Sequence, residues 1–429
     1  MEQSLDYQLP LKRHTWQRET PASQTEGPRI AFALLIAFVI MLYSNVAVIY
    51  KAQLDSLRPT LLVAVAALFM TIVELGHARQ GFRLTWPQGF LLIAFLGVCI
   101  VSTFSSVYVK LALDQTTDFT KIVLIYLLIE NVVTTENRIR KVMLTMVFCG
   151  LFPAIGTIYH YQAGILVEGS RGAWRGIFGN PNEVAYALVV LIPMAFMLAV
   201  RARAMLRITL WAVMGIYLVA MFLTFSRGGF LTLFAVLGLM GWKQKSILIR
   251  AGLIAALIGG IIFVGMFWKR DSGDFNNVKE DMSFRERMFT FEAGGMMFLN
   301  NPLLGVGPGD SMVAYPLYAP IDAKCGCHDQ LVVHNSFIQA LAELGILGFV
   351  PFILFIGIPT LQALKLESGP LGHYATALGL SMFGFLVFSM SGGFLYTWWP
   401  YLLVGLISAM KRIADSKPAQ AAAGGPNVA

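Results

Sequence analysis

Apolar residues in this chain come in long runs separated by short polar stretches, with no strict alternation that would mark half-buried strands. The runs lie near residues 30–50, 59–75, 88–105, 119–133, 140–160, 183–200, 208–225, 228–242, 250–267, 345–363, 374–392 and 395–410. A helix needs about 20 mostly apolar residues to cross the hydrocarbon core of a bilayer, where it satisfies its own backbone polar groups. The pattern therefore predicts an all-α polytopic membrane protein of about twelve transmembrane helices. One long hydrophilic loop, from Trp268 to His334, interrupts it.

The expected division is a cytoplasmic amino-terminal segment over 1–29, transmembrane helices 1–9 over 30–267, the long loop over 268–344, helices 10–12 over 345–410, and a disordered tail over 411–429. The first run lacks a small-residue cleavage site of the usual form and is expected to stay in the protein.

Composition narrows the class. Hydrophobic residues make up 57% of the chain and charged ones 13%, against about 25% charge in a soluble globular domain. This excludes a soluble enzyme. Four cysteines are too few for a disulfide scaffold, and the basic residues form no continuous patch for nucleic acid. The net charge of +8 matters through its placement. Arg138, Arg140 and Lys141, then Arg201, Arg203 and Arg207, then Lys243, Lys245 and Arg250, then Lys411 and Arg412 all fall on one side of the predicted spans. Cytoplasmic loops carry that excess, so both termini are expected inside and the long loop outside.

The loop has internal order. Ser283 with Glu286 three residues on is a capping-box pattern opening a helix through Phe298, with Phe284, Met288, Phe291 and Met296 available for an apolar face. Asn301-Pro302-Leu303-Leu304-Gly305-Val306-Gly307-Pro308-Gly309 reads as turns. A second helix is expected from Asn335 or Ser336, with Phe337, Ile338, Leu341 and Leu344 on one face. Both helices are expected to lie against the membrane and cover a cavity. Trp398, Trp399 and Tyr401 read as an interfacial aromatic belt.

Four outer-side features could carry chemistry. Arg171 and Arg175 stand just before Asn180-Pro181-Asn182-Glu183, where Asn180 suits an N-cap and Pro181 the first helical turn. A helix amino end beside two guanidinium groups is an anion site, unless the arginines only meet lipid headgroups. Arg227 interrupts two apolar runs in Ser226-Arg227-Gly228-Gly229, which is costly unless it faces a polar cavity or snorkels to the interface. Arg285 and Arg287 are two apart on the loop helix, so only one is expected to point inward. His334 opens the second loop helix, where a helix amino end and arginines would lower its pKa and keep it neutral. No Asp-x-Asp, Walker loop or zinc spacing is present. Cys325 and Cys327 receive no role.

In their order, these motifs resemble the O-antigen ligase family: Arg175-x-x-Phe178-Gly179-Asn180-Pro181-Asn182, Ser226-Arg227-Gly228-Gly229, an arginine ahead of Asn301-Pro302-Leu303-Leu304-Gly305, and His334-Asn335-Ser336-Phe337 running into Leu344-Gly345-Ile346-Leu347-Gly348. The resemblance extends over about residues 30–410. It implies a transferase in the bacterial inner membrane, with its active site facing the periplasm and no metal or other cofactor. Such enzymes move a glycan from undecaprenyl diphosphate to a hydroxyl on lipid A-core, on a second glycan or on a protein. Carried over by motif, it implies His334, Arg227 and Arg287 as catalytic, and Arg175, Arg171, Arg227, Arg285, Arg287 and Asn182 as diphosphate-binding.

A lipid diphosphate leaving group needs charge stabilisation, which arginines supply without titrating, and an acceptor hydroxyl needs a base. Among other readings, a polysaccharide polymerase or protein O-oligosaccharyltransferase shares this chemistry. A transporter or exporter of lipid-linked glycans would instead place its polar groups near the midplane. A transferase with acidic catalysts would draw on Asp55, Asp114 or Asp118.

Overall fold

The computed structural model describes residues 27–44, 59–267, 282–320, 331–366 and 371–423. Asp55, Cys325, Cys327 and His328 lie outside the described residues. In chain order the helices are α1 (Arg29–Ser44), α2 (Pro59–His77), α3 (Gln88–Phe104), α4 (Val109–Val132), α5 (Glu136–Cys149), α6 (Leu151–Gln162), α7 (Pro181–Arg201), α8 (Ala204–Leu223), α9 (Arg227–Lys243), α10 (Ile247–Phe267), α11 (Met282–Asn300), α12 (Ser311–Tyr318), α13 (Ser336–Lys365), α14 (Gly372–Ser389) and α15 (Trp398–Ala423). A two-residue hairpin, β1 (Leu166–Val167) with β2 (Arg171–Gly172), sits between α6 and α7.

Among the described residues each predicted apolar run falls on a helix, and the protein is nearly all helical; residues 45–50 of the first run lie outside the described residues. By length and composition, five stretches among the described residues could cross a membrane: α2, the α5–α6 run, α7, α8 and α13. The run at 140–160 is two helices, parted at Gly150, against which the Tyr217 side chain packs too closely for any Cβ. α13 is likewise broken at Gly345, whose φ of 60° is left-handed. A Cβ there would run into the backbone of Leu303 and Leu304, so only glycine fits. The break divides the first turns of α13 from the apolar stretch after it.

The bundle is built around α7, which is buried along almost its whole length and packs against α8, α9 and α14. Its Val190 carbonyl accepts a 2.7 Å hydrogen bond from Ser381 Oγ of α14. The expected aromatic belt is corrected here. Trp399 and Tyr401 are buried, Tyr186 of α7 lies edge-on to Trp399 at 4.9 Å, and Tyr401 Oη donates to the Leu395 carbonyl at 2.6 Å. The Tyr401 hydroxyl has its partner inside the bundle, and both rings pack against other helices, which removes the reason to sit at an interface.

The apolar face of α11 is also corrected. Met288 and Met296 are exposed, whereas Thr290, Ala293, Gly294 and Met297 are buried. A Cβ at Gly294 would meet Ile338 at 2.6 Å, so α11 and α13 cross closely where small residues permit it. At the other end of the chain, α15 stays helical to Ala423, through most of the 411–429 stretch expected to be disordered. Its alanines favour helix.

The two ends of the bundle differ chemically. At one, cationic side chains close helix carboxyl ends: Arg138 donates to the Val132 carbonyl at 2.7 Å, Arg412 to that of Val133 at 2.7 Å, and Lys243 to that of Leu364 at 2.7 Å. Glu74 caps the amino end of α1 there, accepting from the Arg29, Ile30 and Ala31 N–H groups at 3.0 Å. The other end gathers the amino ends of α7, α9 and α13.

Candidate functional site

The site end is assembled from caps. Asn180 accepts the Asn182 N–H at 2.9 Å and opens α7, with Pro181 in its first turn as predicted. Ser226 accepts the Gly229 N–H at 3.2 Å and opens α9, which makes Arg227 its first residue. Asn335 accepts from the Phe337 and Ile338 N–H groups at 2.9 and 3.1 Å and opens α13, which places His334 immediately outside that helix.

Buried Arg171 links two of these ends. Its Nε donates to the Thr224 carbonyl at 2.9 Å, one terminal nitrogen to Asn182 Oδ1 at 2.8 Å, and the other to Glu168 at 3.2 Å. Asn182 Oδ1 accepts Ser226 Oγ as well, at 2.8 Å. Arg171 and Asn182 thus tie the hairpin to the α7 and α9 caps, an architectural task that occupies the Asn182 oxygen. Arg175 behaves differently. It is exposed, with its guanidinium 5.5 Å from the centre of the Trp174 ring. Trp174 also contacts the His160 ring at 4.6 Å. His160 is a second histidine beside an arginine at this end, missed in the sequence because it closes a predicted apolar span.

The two arginines of α11 separate as the helical period requires. Arg285 is exposed, its guanidinium 5.8 Å from the Phe289 ring. Arg287 is half-buried and close enough to His334 to act on its charge. His334 has its pKa lowered from 6.5 to about 4, first by burial and then by the Arg287 guanidinium. The Arg287 charge acts in the expected direction, whereas burial, the larger effect, was not among the causes expected. At neutral pH the imidazole is neutral and able to accept a proton.

The turn between α14 and α15 joins the arginine and histidine halves, and the sequence reading did not single it out. Ser391 packs so closely on Gly228 that a Cβ there would stand 2.6 Å from its Oγ. Two residues on, a Cβ at Gly393 would stand 2.7 Å from the Val333 carbonyl. Ser336 Oγ donates to the Gly392 carbonyl at 2.8 Å and accepts the Phe394 N–H at 2.8 Å. Gly228 and Gly393 are therefore close-approach positions that bring the backbone beside Arg227 and the backbone beside His334 onto one turn. The signal in the sequence was Ser391-Gly392-Gly393 between two apolar runs.

A buried carboxylate holds the loop after α11. Glu343 Oε1 accepts from Ser311 Oγ at 2.5 Å and Gln339 Nε2 at 3.1 Å, and Oε2 from the Gly309 N–H at 2.8 Å. The loop backbone also pairs with α13 through Val306 N–H to the Ala342 carbonyl at 2.9 Å and Gly307 N–H to that of Glu343 at 3.0 Å. Asp310, fully buried, accepts the Tyr108 N–H at 2.6 Å and so fixes the α3–α4 turn to the same loop. Burial pushes its carboxyl pKa up. Glu343→Ala is expected to strand up to three buried donors at about 1–3 kcal/mol each. Its thermal unfolding in detergent should fall well below that of wild type, with Glu343→Gln intermediate. An alanine variant melting like wild type would show that the loop is held by its backbone pairs alone.

Asp114 and Asp118 are exposed on α4, and Asp118 pairs with Lys121 at 2.5 Å, the arrangement of a solvated pair rather than of a buried acid.

A search of curated proteins found no match to the chain. A family model described as O-antigen ligase matches residues 212–353, about a third of the chain. The matched stretch contains Arg227, Arg285, Arg287 and His334 and stops short of the Arg171, Arg175 and Asn182 corner. It runs from α8 to the membrane half of α13, through the loop that Glu343 holds. The match supports a membrane glycosyltransferase of ligase and polymerase type, acting on lipid-linked glycans, and it bears out the resemblance of this chain to the O-antigen ligase family.

Proposed function

We propose that the protein is a metal-independent glycosyltransferase. It moves a glycan from undecaprenyl diphosphate to an acceptor hydroxyl on the periplasmic face of the bacterial inner membrane, as an O-antigen ligase acting on lipid A-core. The observation that carries this reading is the placement of half-buried His334 beside Arg287, with the backbone of Arg227 packed on the turn that also holds the His334 segment.

His334 takes the proton of the acceptor hydroxyl as its oxygen attacks the anomeric carbon. The bond from that carbon to the phosphate oxygen breaks, and undecaprenyl diphosphate leaves with the electron pair. Arg227 and Arg287 stabilise the charge that develops on the diphosphate. Arg175 extends the cationic rim toward the incoming glycan. The domain division follows: residues 268–344 act as the periplasmic catalytic loop on a membrane-embedded bundle.

Two experiments test this reading. Purified protein is incubated with a lipid-linked glycan and, separately, with lipid A-core, a second lipid-linked glycan or an acceptor protein. Transfer to lipid A-core is expected. Transfer only to the second glycan would make the chain a polymerase, and transfer only to protein an oligosaccharyltransferase. For the orientation, single cysteines replace exposed Ile177, Leu303 and Arg203 in a variant whose four native cysteines have been removed. Positions 177 and 303 should react with a membrane-impermeant thiol reagent in spheroplasts, and 203 should not. Labelling of 203 alone would put the site in the cytoplasm.

A further inference from the structure

We propose that Ser336 is a positioning residue for His334, which it places by tying the start of α13 to the turn between α14 and α15. This inference rests on the site assigned above and adds what fixes its histidine half against its arginine half.

Ser336 is the first residue of α13 and is fully buried. Its hydroxyl does nothing for its own helix, because Asn335 already caps that end through the Phe337 and Ile338 N–H groups. The hydroxyl instead donates to the Gly392 carbonyl and accepts the Phe394 N–H, both at 2.8 Å. Its proton and one lone pair are thus both committed to the turn. Asn335 Nδ2 adds a bond to the Met390 carbonyl at 3.2 Å. The two residues after His334 are therefore bound to this turn, and the carbonyl of Val333, just before it, lies against Gly393.

The turn is itself anchored. Phe394 stacks on Tyr186 of α7, with ring centres 4.7 Å apart and planes 19° from parallel, and packs on Phe388 of α14 at 5.3 Å. The cap of α9 is held to the same α7, through Ser226 Oγ and Asn182 Oδ1. Ser391 against Gly228 closes the circuit. The Arg227 and His334 segments thus share α7 as their reference, and Ser336 supplies two of the bonds on the histidine side. Such a link matters because about an ångström of misplacement can cost a reaction ~10²-fold.

Ser336→Ala removes both bonds. Gly393→Ala disturbs the same segment from the other side, since its Cβ would stand 2.7 Å from the Val333 carbonyl, and it serves if the serine variant folds poorly. The control is Ser381→Ala, which removes a buried 2.7 Å bond between α14 and α7. Each full-length variant is studied in nanodiscs. The first readout is the titration of the His334 ring by NMR, its signal identified as the one missing from His334→Gln. Burial and the Arg287 charge hold that ring at about 4. In Ser336→Ala it should titrate higher, toward 6.5, as the ring leaves its buried seat. Ser381→Ala should lower the melting temperature and leave the titration where it is.

The second readout is transfer. Ser336→Ala should lower kcat about ten- to a hundredfold with KM for the donor little changed, and should cost nothing further when added to an impaired His334→Gln. An unmoved His334 titration in folded Ser336→Ala and Gly393→Ala would overturn the proposal, as would a loss of full size in the impaired His334→Gln background. A raised titration together with full transfer by His334→Gln would support the positioning by Ser336 while contradicting the assigned base.

Discussion

Replacing His334 with alanine is expected to lower transfer by about 10²- to 10⁴-fold, the usual contribution of a general base, while leaving donor binding nearly intact. The arginines hold the donor in this account, and the histidine acts on the other substrate. The pH dependence supplies the sharper test. His334 is held at about 4, well below the 6.5 of an unperturbed imidazole. Its folded-state pKa is depressed, so the neutral ring is the form the site accommodates. Any contribution to stability is complete above about 6.5 and is lost as pH falls toward 4. Activity follows the same sign: kcat/KM, which reports the free enzyme, should be level from neutral pH to about 5 and fall as the ring protonates near 4. His334→Gln keeps a hydrogen-bonding group without basicity and should be nearly as impaired as alanine. Full transfer by the glutamine variant with an unchanged profile would exclude the base role.

The arginine variants should be comparably damaged, in a different pattern. Arg227→Ala and Arg287→Ala are each expected to cost about 10²- to 10³-fold, the range seen when one donor to a developing oxyanion is removed. Arg→Lys should recover little, because an ammonium keeps the charge and loses the planar fork that grips two phosphate oxygens. Arg287 carries an added signature. Its charge contributes to the depression of His334, so Arg287→Ala should move the acid limb of the pH profile upward, whereas burial keeps it below 6.5. Arg285→Ala, whose side chain is exposed over Phe289, should change little. Near-normal transfer by the alanine variants of both Arg227 and Arg287, at normal protein levels, would leave these arginines as headgroup anchors.

The helices were legible because each must supply its own apolar length, a property local in sequence. Caps were legible for the same reason: Asn180 and Asn335 act through N–H groups two or three residues away. The separation of Arg285 from Arg287 was legible as a consequence of the helical period. What escaped depends on which surfaces meet. Nothing local in α11 shows that Gly294, rather than Met288 or Met296, will face α13. Glu343 reads as one more charge until the loop from Asn301 to Asp310 folds back over it. Trp399 and Tyr401 read as a belt because their burial depends on Tyr186 and on Phe119, each more than 200 residues earlier in the chain than the ring it packs against. The turn at Ser391-Gly392-Gly393 becomes meaningful only when Gly228 and Val333 are packed against it.

The most direct test of the account is the stereochemistry of a reaction run with purified protein, a lipid-linked glycan of known anomeric configuration, lipid A-core and a metal chelator. Direct attack by a hydroxyl activated at His334, with the diphosphate leaving toward Arg227 and Arg287, predicts a glycan joined to lipid A-core with inverted anomeric configuration and no loss of rate to the chelator. Retention of configuration, which requires a covalent glycosyl-enzyme or a second displacement, would contradict it, as would transfer that stops when the metal is removed.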